Sequence, residues 1–329
     1  MIKKSLKALV AHPLSMSLLT MTRRDTVCAV TYHRINAGPS IFPGLDVDTF
    51  RQQMVWLKRH CRLLRADEFS NSLHSHRERR PRVLVTFDDG YRNFHDTAVP
   101  ILRELDIPCL VFLPTAFIGT GKLIWTDMID AAVQRTQRDC VALPIHSGER
   151  AVLGGLQDRS RLALRVKQHL KSLDDDKRRA AVDRILDELG VPQPQELVPR
   201  QMMIWDEVRA TMPLATVGGH SHEHPILARL SDADLGRDLE RSQEIFGREL
   251  GSVPRHFAYP NGTPGDFDAR TVARLKHLGY QLAFTTIPGL NGPRSDCFAL
   301  RRQSPACATS DDFAWQVLGA SGILRRQAP

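Results

Sequence analysis

Long apolar runs are absent from this 329-residue sequence, and none approaches the length of a membrane-spanning helix. The six cysteines form no CxxC pair, which argues against a disulfide framework and favours free thiols. Aromatic residues make up 6% of the chain and do not interleave with Lys/Arg clusters, so nucleic acid is not an expected partner. No repeat of fixed period occurs, which argues against a solenoid or propeller.

The overall composition, with 42% hydrophobic and 25% charged residues, is that of a folded globular chain. The formal net charge of +8 favours anionic partners, unless it is simply spread over solvated helix faces.

Residues 1–24 are predicted to form an N-terminal amphipathic segment. Three lysines precede the mildly apolar stretch 8–21, which His12 and Pro13 interrupt and which has no signal-peptidase pattern. We expect this segment to pack on the domain or to touch a membrane surface peripherally. The expected location is therefore cytoplasmic, with or without peripheral membrane association, and export is the alternative.

Short apolar runs, each followed by polar residues, mark the first third of the chain and are typical of buried strands. These strand predictions cover residues 26–31, 82–87 and 109–113. A helix is predicted to begin with Asp48 as its N-cap and to bury one apolar face. That face consists of Phe50, Met54 and Leu57. Another helix is predicted at 97–105.

Charged helical patterns dominate from about 131 to 200, where a helical insertion is predicted. Beyond it, strands are predicted at 215–217, 256–259 and 282–286, with helices at 231–247 and 268–278. Alternating strands and helices indicate an α/β chain with a parallel sheet, and the polar strand ends suit a (β/α) barrel. Residues 25–329 are therefore predicted to form one domain that contains the insertion.

Two adjacent carboxylates, Asp88 and Asp89, directly follow the predicted strand 82–87. Because the chain turns at Gly90, the two side chains can diverge, so that one holds a metal while the other takes a proton from water. An ordinary turn is the alternative, since Asp-Asp-Gly is common in turns.

Three histidines lie within five residues in the segment 218–225 (GGHSHEHP). His220 and His224 are four apart, so one helical turn would bring both imidazoles to the same side, with His222 pointing elsewhere. Two imidazoles and a carboxylate would leave one position open, as a catalytic zinc site requires. The alternative is an exposed polar loop.

A third motif, FAYPNG, follows the predicted strand at 256–259. Its Tyr259-Pro260 turn could aim a backbone N–H at a developing oxyanion. Taken alone, the motif indicates only a turn.

Together these motifs resemble those of the polysaccharide deacetylases, carbohydrate esterase family four. Thr86–Gly90 matches the TFDDG motif of that family in full, and His220, Ser221 and His224 match its His-Ser/Thr-x-x-His motif. Their order and separation also fit, and the resemblance covers roughly residues 27–302. It implies a distorted (β/α) barrel of the polysaccharide deacetylase type.

The resemblance also implies a role for each matching residue. Asp89, His220 and His224 would hold a divalent metal, with zinc as the expected ion. Asp88 would be the general base that takes a proton from the attacking water. A backbone N–H near Tyr259 would hold the oxyanion.

Two departures from the family pattern lead to further predictions. Many members have Arg-x-Pro-Tyr as the third motif, but here Ala258 and Asn261 stand at the Arg and Tyr positions. From its position alone, Arg302 is the hypothetical substitute that supports the base. The late Leu-x-His is missing, and Tyr32-His33-Arg34 ends the first strand, as in some exopolysaccharide deacetylases. His33 is therefore the predicted general acid, and a structural hydrogen bond is the alternative.

The predicted substrate-binding residues are Trp125, Asp127 and Asn261, although Trp125 is equally suited to a core. The expected activity is removal of acetyl groups, N-acetyl rather than O-acetyl, from a glycan or sugar intermediate of exopolysaccharide or cell-surface polysaccharide biosynthesis. Two alternatives are hydrolysis of another linear or cyclic amide and a catalytically inactive glycan-binding module. The expected partner is a carbohydrate substrate.

Overall fold

A computed structural model of the chain describes residues 25–75, 80–142, 150–305 and 310–319. The predicted amphipathic segment, residues 1–24, lies outside these ranges. Among the helices that are described, none is both long and apolar enough to cross a membrane.

A parallel sheet forms the centre of the fold. The strands of the described ranges are β1 (Val27–Tyr32), β2 (Ile35–Asn36), β3 (Leu45–Asp46), β4 (Arg62–Leu63), β5 (Arg82–Phe87), β6 (Cys109–Leu113), β7 (Cys140–Ala142), β8 (Arg150–Val152), β9 (Ala215–Gly219), β10 (His256–Ala258) and β11 (Leu282–Phe284). Seven of them pair in the order β1-β5-β6-β9-β10-β11, with β4 beside β5. Every residue of β1, β5 and β6 is buried, as expected for parallel strands that are covered on both faces.

Residues 300–303, the closing segment, join the last strand to the first. The Leu300 amide donates to Ala283 O (3.0 Å) in β11, and the Gln303 amide donates to Ala29 O (2.8 Å) in β1. Gln303 O in turn accepts from the Thr31 amide at 2.9 Å. Because both edges of the sheet pair with one short segment, the sheet curls into a distorted barrel, as predicted.

Helices surround this sheet. They are α1 (Val47–His60), α2 (Phe69–Leu73), α3 (Val99–Glu104), α4 (Trp125–Arg135), α5 (Leu156–Lys171), α6 (Asp175–Leu189), α7 (Trp205–Thr211), α8 (Asp232–Leu250), α9 (Ala269–His277) and α10 (Ser310–Val317). One apolar cluster joins residues of β1, β5, β6, β10 and β11 with Leu300, as expected on the inner side of a curled sheet. The intervening strand residues pack outward against α1 and α3.

The chain between β6 and β9 carries the helical insertion. Helices α4, α5 and α6 pack on one another around an apolar cluster of their own, which includes Ile129, Val166 and Ile185. The helical segment begins at Trp125, earlier than the predicted start near 131. The limits of the insertion as a unit remain a prediction.

The predicted start of α1 is wrong in detail. Asp46 is the N-cap, because its side chain accepts a hydrogen bond from the Thr49 amide at 2.8 Å. Asp48 lies in the first turn, where a carboxylate still complements the helix dipole. The predicted apolar face is confirmed, since Phe50, Met54 and Leu57 are fully buried.

Candidate metal and catalytic site

The polar residues identified in the sequence gather where the parallel strands end. Asp88 and Asp89 follow β5, His220 follows β9, and His33 lies just beyond β1. Because these strands are parallel, their carboxyl ends meet at one edge of the barrel, where such folds place their sites. A cleft of about 360 Å³ opens there. Its walls include His33, Asp89, Asp127, His224 and Asn261.

Asp89, His220 and His224 form a buried cluster at the base of this cleft. Asp89 Oδ1 lies 3.3 Å from His220 Nε2 and 3.2 Å from His224 Nε2. Burial alone would raise the pKa of Asp89, but its contacts with the two imidazoles hold that pKa well below its usual range. Burial lowers the pKa of His224, which favours the neutral ring that binds metals.

The chemistry of the three groups fits a divalent metal. His220 Nδ1 donates to Ala258 O at 2.7 Å, so the neutral ring presents a lone pair at Nε2 towards Asp89. Asp89 Oδ1 is buried and has no hydrogen-bond donor of good geometry among the described residues. Ligands about 2.0–2.1 Å from a tetrahedral zinc lie roughly 3.3 Å apart, which is the spacing seen here. A cation between the three groups would resolve the repulsion of their lone pairs.

Left-handed backbone conformations bring the ligands together. Asp89, Ser221 and His224 have φ of 71°, 66° and 55°. Such conformations cost about 1–3 kcal/mol each, and they persist where the surroundings enforce them. The helical turn predicted for His220 to His224 is wrong, because the chain from 220 to 226 is a loop. The imidazoles converge because the loop reverses at Ser221, whose Oγ accepts from the His224 amide at 3.0 Å.

Asp88 diverges from Asp89 and pairs with Arg302 of the closing segment. Its two oxygens each accept a hydrogen bond of 2.7 Å from the guanidinium, and both side chains are almost fully buried. Burial alone would raise the pKa of Asp88, but Arg302, with His220 and His33, lowers it. The carboxylate is therefore ionised and able to accept a proton.

His33 lies beside Asp88 and lines the cleft. Its Nε2 is 3.7 Å from Asp88 Oδ2, and its side chain is 47% exposed to the cleft. This exposure differs from that of Asp88, which is 2%. An imidazole that borders both the base and the open cleft can reach a substrate atom, whereas a purely structural histidine would be enclosed.

The turn after β10 engages the amide of Tyr259 itself within the fold. The Tyr259 amide donates to Phe284 O at 3.0 Å, and its ring stacks on Phe267 away from the cleft. The prediction of Tyr259 as a catalytic residue is therefore not supported by its contacts. Two residues later, Asn261 lines the cleft, and its amide has no acceptor among the described residues.

Asp127 lines the cleft and is held by Arg34, which follows His33 at the end of β1. Arg34 Nη2 donates to Asp127 Oδ2 at 2.7 Å, and its guanidinium lies over the rings of Tyr91 (3.5 Å) and Phe42 (4.4 Å). Burial raises the pKa of Asp127 to about 6, although Arg34 opposes this shift. No role was predicted for Arg34 from the sequence, although a charged residue directly after a buried strand is a signal for a site residue.

Trp125 does not lie in the wall of the cleft. Its side chain packs against the apolar cluster that contains Phe117, Ile124 and Met202. The Arg178 guanidinium lies 5.5 Å from the centre of its ring. Trp125 therefore fits the core alternative better than a sugar-stacking role. The insertion instead contributes α5 to the cleft, through Leu164, Lys167 and Lys171.

Comparison with known proteins identifies the family. The fold and site define a barrel with a candidate metal-binding triad beside a buried carboxylate. The family model for polysaccharide deacetylase matches residues 75–163 and 165–283, and the chain belongs to that family.

Individual relatives are more distant. The poly-beta-1,6-N-acetyl-D-glucosamine N-deacetylase of Staphylococcus epidermidis is 28% identical over 112 residues, which is 30% of this chain and 39% of that protein. Among solved structures, the Streptococcus pyogenes deacetylase PplD in complex with acetate aligns with a TM-score of 0.57 and 15% identity, over 92% of this chain and 99% of that one. IcaB from Ammonifex degensii aligns with a TM-score of 0.57 and 20% identity, over 89% and 97%. These two similarities confirm the predicted fold.

Proposed function

We propose that the protein hydrolyses N-acetyl groups on a carbohydrate of exopolysaccharide or cell-surface polysaccharide biosynthesis, with a divalent metal at Asp89, His220 and His224. The observation that carries this proposal is the juxtaposition of that triad with the buried Asp88–Arg302 pair at one cleft. The name of the Staphylococcus epidermidis relative supports an N-acetylated glycan as the substrate class.

Each residue would act at a stated atom. A bound divalent metal would supply Lewis acidity to water and to the acetyl carbonyl. Asp88 would take a proton from the attacking water, with Arg302 keeping its carboxylate ionised and oriented. The Asn261 amide would donate a hydrogen bond to the carbonyl oxygen as negative charge develops there, since Asn261 lines the cleft.

The reaction would be completed by a proton transfer to the leaving group. As the C–N bond breaks, His33 would donate a proton to the sugar nitrogen, so that acetate and a free amine are released. Its half-exposed side chain lines the cleft, and its Nε2 lies 3.7 Å from Asp88 Oδ2. Asp127 would contact the sugar from the opposite wall.

The test compares metal content and deacetylation in wild type, Asp89→Asn and His33→Gln. An oligomer of N-acetylglucosamine serves as the substrate, and the released amine is measured after treatment with a chelator and return of zinc. Asp89→Asn should lose both metal and turnover. His33→Gln should retain the metal, while its kcat falls about 10²–10⁴-fold.

His277→Gln is the matched control, since His277 lies on the exposed part of α9, away from the cleft. It should retain both metal and turnover. Hydrolysis that survives complete metal removal would contradict the metal-dependent reaction. Full kcat in His33→Gln would exclude His33 as the acid, and metal without hydrolysis would favour a binding role.

A further inference from the structure

Helix α8 holds the loop that carries the two histidine ligands. The Asp238 carboxylate accepts hydrogen bonds from two consecutive loop amides, those of His222 and Glu223, both at 2.9 Å. One turn further along α8, Ser242 Oγ donates to Ser221 O at 3.2 Å. Residues 238 and 242 lie on the same helix face, so one rigid element contacts the loop along its length.

Among the described residues, the Asp238 carboxylate contacts backbone amides and not a charged side chain, so these contacts hold the loop in position. No Lys or Arg of the described ranges lies within salt-bridge distance of Asp238, so its described contacts are to the loop. The carboxylate meets the loop midway between Ser221 and His224, the two residues with positive φ. Asp238 supplies both amides with an acceptor, since the reversed loop cannot form the hydrogen bonds of a helix.

The other contacts of the loop are weaker or neutral. Arg179 of α6 bonds to Glu223, but the two side chains are 54% and 44% exposed, where ion pairs contribute little. Thr115 Oγ1 contacts His222 Nδ1 at 2.9 Å, which is a neutral contact of the side chain and not of the loop backbone. Asp238 is the charged acceptor that acts directly on the loop backbone.

We propose that Asp238 is a positioning residue of the metal site, which holds the loop in the strained shape that aims His220 and His224 at Asp89. This inference rests on the proposed metal site and names a residue of α8 that determines its affinity. Ser242 supports the same loop through a neutral hydrogen bond.

The experiment measures zinc affinity by competition with a chromophoric chelator in wild type, Asp238→Asn and Glu244→Gln. An Asn side chain can accept only one of the two amides and directs its own NH2 at the other. Asp238→Asn should therefore weaken zinc binding about 10–100-fold, which is the usual loss when a group that orients metal ligands is removed. The visible absorption of the cobalt-substituted protein should change in the same variant, since the ligand geometry changes.

Glu244→Gln is the matched control, because it removes one carboxylate from the same helix, where Glu244 pairs only with Arg241 among the described residues. Its zinc affinity should stay within twofold of wild type. In metal-free protein, the amides of His222 and Glu223 should exchange hydrogen faster in Asp238→Asn than in wild type. Should that variant fail to fold, Ser242→Ala provides the test, with a smaller loss of zinc affinity and the same change in exchange.

Unchanged zinc affinity in folded Asp238→Asn would overturn the positioning role and leave the proposed function intact. A wild-type protein that binds no divalent metal would overturn both. An equal loss in Asp238→Asn and Glu244→Gln would assign the effect to net charge and also overturn the positioning role.

Discussion

At the scale of single residues, the buried ion pair of Asp88 and Arg302 should contribute strongly to the free energy of unfolding. Removal of one partner leaves an almost fully buried charge without its counterion, which typically costs about 3–5 kcal/mol. Asp88→Asn and Arg302→Met should each lower the free energy of unfolding by about that amount. The double variant should lose about 1–3 kcal/mol less than the sum, as urea unfolding at pH 7 would show.

An exposed pair provides the control for this cycle. Arg51 also donates to both oxygens of one carboxylate, Glu104, at 2.7 and 2.9 Å, but the two side chains are 43% and 57% exposed. Its coupling should lie within experimental error. Equal coupling free energies in the two pairs would contradict the prediction that burial strengthens the interaction of Asp88 with Arg302.

The residues of the site differed in how far the sequence predicted them. The motifs predicted the residues whose chemical groups lie close together in the sequence, namely Asp88, Asp89, His220 and His224. Asp238 could not be predicted, because its role arises only from the packing of α8 against a loop that precedes it. The convergence of the histidines was predicted through the wrong local structure, since four-residue spacing suits a helix as well as a reversed loop.

At the scale of elements, strand β9 shows why two glycines precede the first histidine ligand. A Cβ at Gly218 would lie 2.5 Å from the Phe112 ring and 3.1 Å from His256 O. Gly218→Ala should therefore lower the free energy of unfolding by about 1–3 kcal/mol through overpacking, and urea unfolding measures this change. It should also weaken zinc binding, because Phe112 lies 6.4 Å from the His220 ring.

The same substitution at Gly247 should have the opposite sign. Gly247 lies on the exposed face of α8, and a Cβ there would meet nothing within 4 Å. Gly247→Ala should raise the free energy of unfolding by about 0.5–1 kcal/mol, since alanine loses less backbone entropy in a helix. Destabilisation by both substitutions would indicate that close packing is not what distinguishes β9.

Element prediction succeeded where burial leaves a continuous pattern. The strands of 82–87 and 109–113 were predicted with their observed bounds, because parallel strands covered on both faces are apolar throughout. The closing segment could not be predicted as a strand, since only one or two residues pair on each side and Arg301-Arg302 interrupts any apolar run. Its place in the barrel depends on contacts between the two ends of the domain.

At the scale of the whole molecule, the barrel encloses ionisable side chains from distant parts of the chain. The free energy of unfolding should therefore depend on the protonation of these side chains. His256 in β10 is 8% exposed. Burial lowers its pKa from about 6.5 to about 4, with Arg255 acting in the same direction and Asp67 opposing. The folded protein therefore keeps this ring neutral at a pH where the unfolded chain protonates it.

This difference fixes the sign of a pH dependence. Because the folded pKa is the lower one, the contribution of His256 is fully present above pH 6.5 and is lost as the pH falls towards 4. Between pH 7 and pH 4.5 the wild type should lose about 2 kcal/mol of unfolding free energy that His256→Gln does not lose. Urea unfolding at the two pH values measures the difference, and His277→Gln, on the exposed part of α9, should behave as wild type. Parallel losses in wild type and His256→Gln would mean that acid acts through another enclosed group whose pKa burial lowers, such as His224, rather than through this strand.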